Sequence, residues 1–343
     1  MKEVSVIIPY FNGDIELFNK CLDSIYENTS LETEIVVIND GSDEEHSTQL
    51  KNAVKDREGL KLIEQENRGV SAARNRGIKE SEGRYITFVD ADDMILNHFI
   101  DEAHKIAEAG AYDMVKGKLI RGRELPEKTV STGRLKRIKD KEDLISHMIS
   151  FKNLYHFKDG SYISRGPVAF LVRREYAEEV CFDENIKIGE DCIWNIDAIG
   201  LMKRIVLVNS LWYFYYENDV SACNKVNPDA LTEYLKKQNA LKERVDLSSA
   251  KLYKSFAVNF VEDMKAVHRV YLYKGLKACD KKQLKEERKK AYEEFGSEEF
   301  FESKNRRKLD FFTRFQIFLF EGKRLFNLYD LFRDLRALRG KLK

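Results

Sequence analysis

Carboxylates crowd together at two places in this chain. Asp90-Ala91-Asp92-Asp93 sets three acids within four residues, directly after the apolar run at residues 85–89. Gly189-Glu190-Asp191 sets two more at the head of a helix-like segment ending near Leu201, shortly after Asp183-Glu184. Acids this close repel one another and raise each other's pKa unless a cation neutralises them. A hard divalent cation, Mn²⁺ or Mg²⁺, with positions left over for phosphate oxygens, meets that need. The plainer reading of each cluster is an acidic helix start that complements the helix dipole. Three acids at the tip of one strand favour the metal; taken alone, Glu190 and Asp191 would favour the helix start. Beside a metal–diphosphate site, an acid at 190–191 supplies what group transfer lacks, a base for an attacking hydroxyl.

Residues suited to a nucleotide follow the other strand-like runs. Pro9-Tyr10-Phe11-Asn12-Gly13 follows residues 4–8, and Asn39-Asp40-Gly41-Ser42 follows residues 34–38. Asn67-Arg68-Gly69 leads from residues 60–63 into a helical segment over 71–80, with Ser71 as its N-cap and Arg74 one turn in. Helix N-terminal amides and an arginine fork both suit a diphosphate. Each piece also has an ordinary explanation: a turn at Asp40-Gly41-Ser42, a buried ring at Tyr10, a capped solvated helix at Ser71 and Arg74. Their convergence at successive strand ends is the stronger signal.

Those ends can meet only if the strands run parallel. Helical spacing over residues 15–26, 43–57 and 71–80 separates the strand-like runs, and Leu17, Cys21, Leu22 and Ile25 fall on one helical face. Such alternation implies βαβ crossovers and an α/β, mainly parallel sheet covered on both faces. Ligands then sit at the carboxyl ends of the strands. A helix over 98–109 and a strand over 114–118 follow, then a polar, basic stretch at 121–137 that reads as a mobile loop over the site. Strand-like runs return at 168–172, 205–208 and 212–216. Beyond Pro228 the strand signals cease and helical spacing runs to the end, which sets a catalytic domain at 1–221 and a helical domain at 222–343. No internal repeat is visible.

Composition removes several classes. With 43% hydrophobic residues the chain can build a core, and a net charge of +1 gives no global field toward nucleic acid or membrane. Cys21, Cys181, Cys192, Cys223 and Cys279 are scattered and odd in number, which fits reduced thiols in a cytoplasmic protein and not a disulfide scaffold. The apolar start at Val4 is halted by Pro9, too early for a signal peptide, and no eighteen-residue apolar stretch exists to span a bilayer. No Gly-x-Gly-x-x-Gly or Gly-x-x-x-x-Gly-Lys-[Ser/Thr] occurs, which disfavours dinucleotide oxidoreductases and P-loop nucleotidases.

At this level the sequence resembles the inverting glycosyltransferase family 2, of GT-A fold. The matching pieces are Val4 through Asn12, Val37-Ile38-Asn39-Asp40-Gly41-Ser42, Asn67-Arg68-Gly69 with Ala73-Arg74-Asn75, Phe88 through Asp93, and Gly189-Glu190-Asp191. They stand in the family's order within residues 4–221. The resemblance implies a nucleotide-sugar donor, a UDP-sugar, held by Pro9, Tyr10, Asn12, Asp40, Ser42, Asn67, Gly69, Arg74, Asp90 and Ala91. It places Tyr10 against the nucleobase, Asp40 as its hydrogen-bond acceptor and Arg74 near base or diphosphate. Asp92 and Asp93 become the metal residues, Asp191 the catalytic base and Glu190 its neighbour. One departure stands out: the family often has Tyr-x-Tyr-Arg where this chain has Tyr213-Phe214-Tyr215-Tyr216. Arg134, Arg137 and Arg165 are candidates to replace the missing cation.

The C-terminal third matches nothing nameable. Phe311, Phe315, Phe318, Leu325, Tyr329 and Phe332 share a helical face, amid an excess of Lys and Arg. Packing within the protein or a homo-oligomer is the first expectation, peripheral contact with the inner face of the membrane the second; nucleic acid is not expected. The acceptor would be a glycan: polysaccharide, glycolipid or glycoprotein. A sugar nucleotidylyltransferase would want a Gly-rich turn after the first strand, and a non-catalytic binding module would have little need of intact Asp92, Asp93 and Asp191.

Overall fold

β-Branched and aromatic residues at period two build strands, and the apolar stripes between them build helices that cover those strands. The computed structural model describes residues 2–126, 131–150, 155–217, 230–267 and 303–321, with single positions 286, 289, 293, 324, 325 and 328 beyond. The first half runs β1 (Val4–Tyr10), α1 (Ile15–Glu27), β2 (Thr33–Asp40), α2 (Glu44–Val54), β3 (Leu60–Gln65), α3 (Val70–Glu80), β4 (Tyr85–Phe88), β5 (Met94–Ile95) and α4 (Phe99–Gly110). There follow β6 (Met114–Gly122), β7 (Leu135–Arg137), α5 (Lys141–Ile149), β8 (Tyr162–Ile163), β9 (Phe170–Arg173), α6 (Arg174–Glu179), α7 (Glu190–Leu201) and β10 (Ile205–Tyr216).

One sheet joins the strands in the order β3-β2-β1-β4-β9-β6-β10-β5, with β7 on β10 and β8 on β6. β1 pairs in parallel with β2 and β4, and β2 with β3, so the four chemistry-bearing turns leave from one edge. β9 enters antiparallel between β4 and β6, while β6 and β10 run parallel. On one face, Val4, Val6, Ile8 and Tyr10 pack against Phe18, Leu22 and Ile25 of α1, in the same cluster as Trp212. On the other, Phe88, Phe170, Phe182 and Trp194 form a ring cluster with centroids 5.0–6.0 Å apart. Trp194 lies on α7, so this cluster seats the helix that carries Glu190 and Asp191 beside β4, which leads to Asp90.

Several expectations are corrected. α3 is capped by Gly69 and not by Ser71, which is buried inside the first turn. Gly69 sits at φ 90°, a conformation serine rarely adopts. The stretch 121–137, expected as a mobile loop, lengthens β6 to Gly122 and supplies β7, with Thr132 N–H bonded to Asn209 O; residues 127–130 lie outside the described residues. The runs at 205–208 and 212–216 form the single strand β10, whose register on β6 slips between Leu207 and Tyr213 around Asn209 and Ser210.

Two compact units emerge, one of residues 1–148 and 153–218, the other of 149–152 and 219–343. The expected boundary at 221 lies outside the described residues. In the second unit α8 (Ala230–Arg244) and α9 (Ala250–Ala266) precede a 3₁₀ turn (Ser303–Lys308) and α10 (Phe311–Glu321). Lys237 and Asp263 form a buried ion pair joining α8 and α9. Of the expected C-terminal aromatic face, Phe311, Phe315 and Phe318 are exposed, as is Phe312, whereas Leu325 is buried; Tyr329 and Phe332 lie outside the described residues. Cys21, Cys181 and Cys192 are free thiols, and Cys223 and Cys279 lie outside the described residues. Among the described residues no helix is long and apolar enough to cross a membrane.

Gly77 lets α3 lie close on β1, since an added Cβ would stand 2.3 Å from Ile7 Cγ2. Ile7 is branched at Cβ and fixed in the sheet, so it has little room to yield. Gly77→Ala is expected to destabilise the chain by roughly 1–3 kcal/mol, read as a lower denaturant midpoint. An unchanged midpoint would contradict this packing.

Candidate active site

The strand ends are sewn together before any ligand arrives. Asn12, at φ 44°, donates its N–H to Ser42 Oγ (3.0 Å) and accepts from Asp43 N (2.9 Å). Asn39 caps the turn by accepting from Ser42 N at 3.2 Å. Asp40 reaches further: its carboxylate accepts from Gln65 Nε2 (2.7 Å), Arg68 N (2.9 Å) and Gly69 N (2.8 Å). Three of about four lone-pair sites are thus occupied by the β3–α3 loop. Asp40, 3% exposed and expected to meet a nucleobase, serves here to hold that loop. Gly41 permits the approach, because a Cβ there would stand 2.4 Å from Asn67 N.

Tyr10 also differs from expectation. It is the last inward residue of β1, 1% exposed, edge-on to Phe18 and donating its hydroxyl to Gly13 O at 2.7 Å. With no open ring face it cannot stack on a base unless the loop moves. The adjacent Phe11 is 52% exposed. Of the doublet Tyr10-Phe11, the first ring continues the buried series Val4, Val6, Ile8 and the second follows the end of β1.

Asp90 to Asp93 form a turn closed by Asp93 N–H to Asp90 O at 3.0 Å. The Asp93 carboxylate, 1% exposed, accepts from Tyr213 Oη (2.7 Å) and from Tyr216 N (2.9 Å), while Tyr213 Oη accepts from Asp90 N. Asp93 therefore clamps the turn to β10, leaving Asp90 and Asp92, both half-buried, nearer the open side. Burial, then Asp90 and Asp92, hold the Asp93 pKa well above the usual carboxylate range. Among the described residues no three His, Cys, Asp or Glu side chains enclose a cation site. The donor set of the turn is all oxygen, a chemistry that fits a hard divalent ion shared with a substrate's phosphates better than one caged by protein alone.

Arg74 joins the two acidic clusters. Its guanidinium, 5% exposed, reaches Asp90 Oδ1 (3.0 Å) through one terminal nitrogen and Glu190 Oε1 (3.4 Å) through the other, and lies over the Phe182 ring. Burial opposes its charge, but Asp90 and Glu190 more than offset this and raise its pKa. The sequence suggested Arg74 near base or diphosphate; the structure makes it the bridge between acids 100 residues apart. Glu190 is pushed up to about 7 by burial and by Asp191, against the pull of Arg74. Asp191 is half-buried in the first turn of α7, behind Gly189 at φ 82°, and one of its oxygens accepts from Cys192 N.

The candidate replacements for the family's missing arginine divide. Arg134 and Arg137 lie by the first half of β10, where β7 pairs with Val206–Val208, away from Tyr216. Arg165 is tied to α7 through its carbonyl, which accepts from Asn195 Nδ2. Arg121 is a cation at the strand end: on β6 it pairs with Tyr215 of β10 and stands 4.4 Å from the centre of that ring. The sequence marked it only as the start of the basic stretch at 121–137; the β6–β10 register brings it beside Tyr215.

Comparison with known proteins identifies the family. The model of glycosyl transferase family 2 matches residues 5–181. The chain belongs to that family, and it is a glycosyltransferase. It is 30% identical over 242 residues to the glycosyltransferase EpsJ of Bacillus subtilis, a match covering 68% of this chain and 67% of EpsJ. It is 25% identical over 242 residues to TarP of Staphylococcus aureus, a poly(ribitol-phosphate) beta-N-acetylglucosaminyltransferase, covering 68% of each. Its fold is similar to that of S. aureus TarS 1–349 in complex with UDP-GlcNAc, with a TM-score of 0.67 at 18% identity over 97% of this chain and 92% of that one. The GT-A α/β architecture expected from the motifs is thereby confirmed.

The Glu190 environment has a measurable consequence. Its folded pKa, about 7, exceeds the ordinary 4.5, so the folded chain binds the proton more tightly than the unfolded one. The stabilisation is complete below about pH 4.5 and is lost as pH rises to about 7. Glu190→Gln should therefore raise Tm at about pH 8, equivalent to roughly 1–3 kcal/mol, with a smaller effect at about pH 4.5. An equal Tm at both pH values would contradict the buried placement.

Proposed function

We propose that this glycosyltransferase moves a hexose or N-acetylhexosamine from a UDP-sugar to a hydroxyl of a glycan acceptor, with a divalent cation and inversion at the anomeric carbon. The observation that carries the reading is the Arg74 bridge, which sets the Glu190-Asp191 pair beside the Asp90–Asp93 turn. On this reading a leaving-group site and a base share one end of the sheet. The UDP-GlcNAc complex of the similar TarS and the naming of TarP as an N-acetylglucosaminyltransferase support the donor class.

In this reading Asp191 takes the acceptor hydroxyl proton as that oxygen bonds to the anomeric carbon, while the bond from that carbon to the diphosphate oxygen breaks. Attack from the face opposite the leaving group inverts the centre. Asp92, with Asp90, would hold Mn²⁺ or Mg²⁺, and Asp93 keeps their turn in place through Tyr213 and Tyr216. When bound, the cation neutralises charge developing on the departing diphosphate. Phe11 offers its exposed ring to the nucleobase, and Arg121 offers a cation near the strand end where the family has its arginine. The exposed phenylalanines of α10 support contact of the helical unit with another surface, for which we favour a second copy of the chain over the membrane.

A panel of nucleotide sugars with Mn²⁺, scored for released nucleotide, tests the reading, and a UDP-sugar should be hydrolysed slowly without acceptor. Chelation should abolish that turnover and Mn²⁺ or Mg²⁺ restore it; turnover indifferent to chelator would remove the metal. Asp191→Asn should bind UDP as the parent does yet lose at least about a hundredfold in kcat, and near-parental turnover would remove Asp191 from its role. Phe11→Ala should weaken UDP binding about tenfold, measured by calorimetry, against no change if the base sits elsewhere.

A further inference from the structure

Lys116 lies within β6 with its side chain 0% exposed. A buried ammonium usually has a carboxylate within salt-bridge reach. Here Nζ donates instead to the backbone carbonyls of Gly166 (3.0 Å) and Val168 (3.2 Å) and stands 4.9 Å from the centre of the Phe170 ring. The segment it holds, residues 164–168, backs onto the first turn of α7. Asp191 Oδ2 would lie 3.4 Å from a Cβ placed on Gly166, so lysine and aspartate approach the same glycine. Asn195, also 0% exposed, ties the two parts together by donating to Arg165 O (3.0 Å) and Asp191 O (2.9 Å).

We propose that Lys116 is a positioning residue for Asp191: its ammonium pins the 164–168 segment against α7 and sets a positive charge behind the carboxylate that takes the acceptor proton. The proposal rests on the reading of Asp191 as the base. An apolar side chain would pack at this point of the sheet without the desolvation cost of a charge, and the catalytic carboxylate gives a reason for the lysine. The surrounding charges leave that influence intact. Burial draws the Lys116 pKa down to about 7, against the pull of Asp191. It therefore stays protonated through the acidic range in which a carboxylate titrates. His147 on α5 is drawn down to about 4 by burial, with Arg165 and Lys116 adding to the effect, and is neutral over most of that range. Glu190, raised to about 7, is protonated over most of that range as well, and Arg74 is held by Asp90.

Three variants separate charge from packing. Lys116→Gln retains a donor for the two carbonyls and removes the charge, Lys116→Met removes both, and Lys116→Arg keeps the charge. Each is assayed by UDP release from the best-hydrolysed UDP-sugar with Mn²⁺ across pH, with UDP calorimetry reporting an intact donor site. In the Gln and Met variants the acidic limb of kcat/KM should move up by roughly one pH unit. Turnover at about pH 6 should fall about tenfold, with UDP affinity within about twofold of the parent. The Arg variant should keep the parental limb. Should either neutral variant bind UDP normally and retain the parental pH profile, the proposal is overturned. Asp191→Asn, run in parallel, tells the two failures apart: if it still turns over, the base assignment falls and takes this inference with it, whereas an inactive Asp191→Asn beside unshifted Lys116 variants overturns the lysine alone.

Discussion

One guanidinium holds the candidate site in its present form. Arg74 is buried, and it meets Asp90 at the tip of β4 and Glu190 at the start of α7. Without it, acids from the two clusters would share a poorly hydrated space with nothing between them, and their mutual repulsion would separate the elements or protonate the side chains. With it, the repulsion is converted into a bridge across the sheet edge. Half-buried Asp191 and Asp92 stand next to the bridged acids, placed by a contact in which neither takes part.

The rest of the first unit serves to keep that bridge at one length. The stacked and edge-on rings of Phe88, Phe170, Phe182 and Trp194 fix α7 against β4 and β9. Trp194 Nε1 is satisfied by Val180 O at 2.7 Å, so its burial leaves no donor unpaired. On the other side of the Asp turn, Tyr213 and Tyr216 hold Asp93 to β10. Asn12, Asn39 and Asp40 give the nucleotide side its own network, in which side chains of one loop satisfy the backbone of the next. Such cross-loop bonds leave little backbone to reorganise when a ligand binds, which is the physical content of a preorganised site.

Much of this was legible in the sequence, and the parts that were not share a cause. Periodicity located the strands and helices of the βαβ half, because burial of one face imposes period two or 3.6 directly on the residues. The acidic turns, Gly41, Gly69 and Gly189 were visible as departures from that periodicity. What misled were side-chain directions. Tyr10 and Asp40 have the residue types to meet a base, yet the ring turns into the core and the carboxylate turns to neighbouring amides. Ser71 has the type of an N-cap, but the backbone places glycine there. Arg121 was marked only as the start of a basic stretch, since its place beside Tyr215 depends on a register between strands far apart in sequence.

The sequence by itself determined the elements of the βαβ half and which residues leave its strand ends, because local propensity and the alternation of apolar residues need no partner to be read. Only the tertiary structure decided which of those residues face one another: that Arg74 links Asp90 to Glu190, that Asp93 is enclosed by β10, and that Lys116 lies behind Asp191. These are consequences of crossovers and of packing between segments distant along the chain. A single side chain's direction there is set by the summed contacts of its neighbours, and no local stretch of sequence encodes that sum.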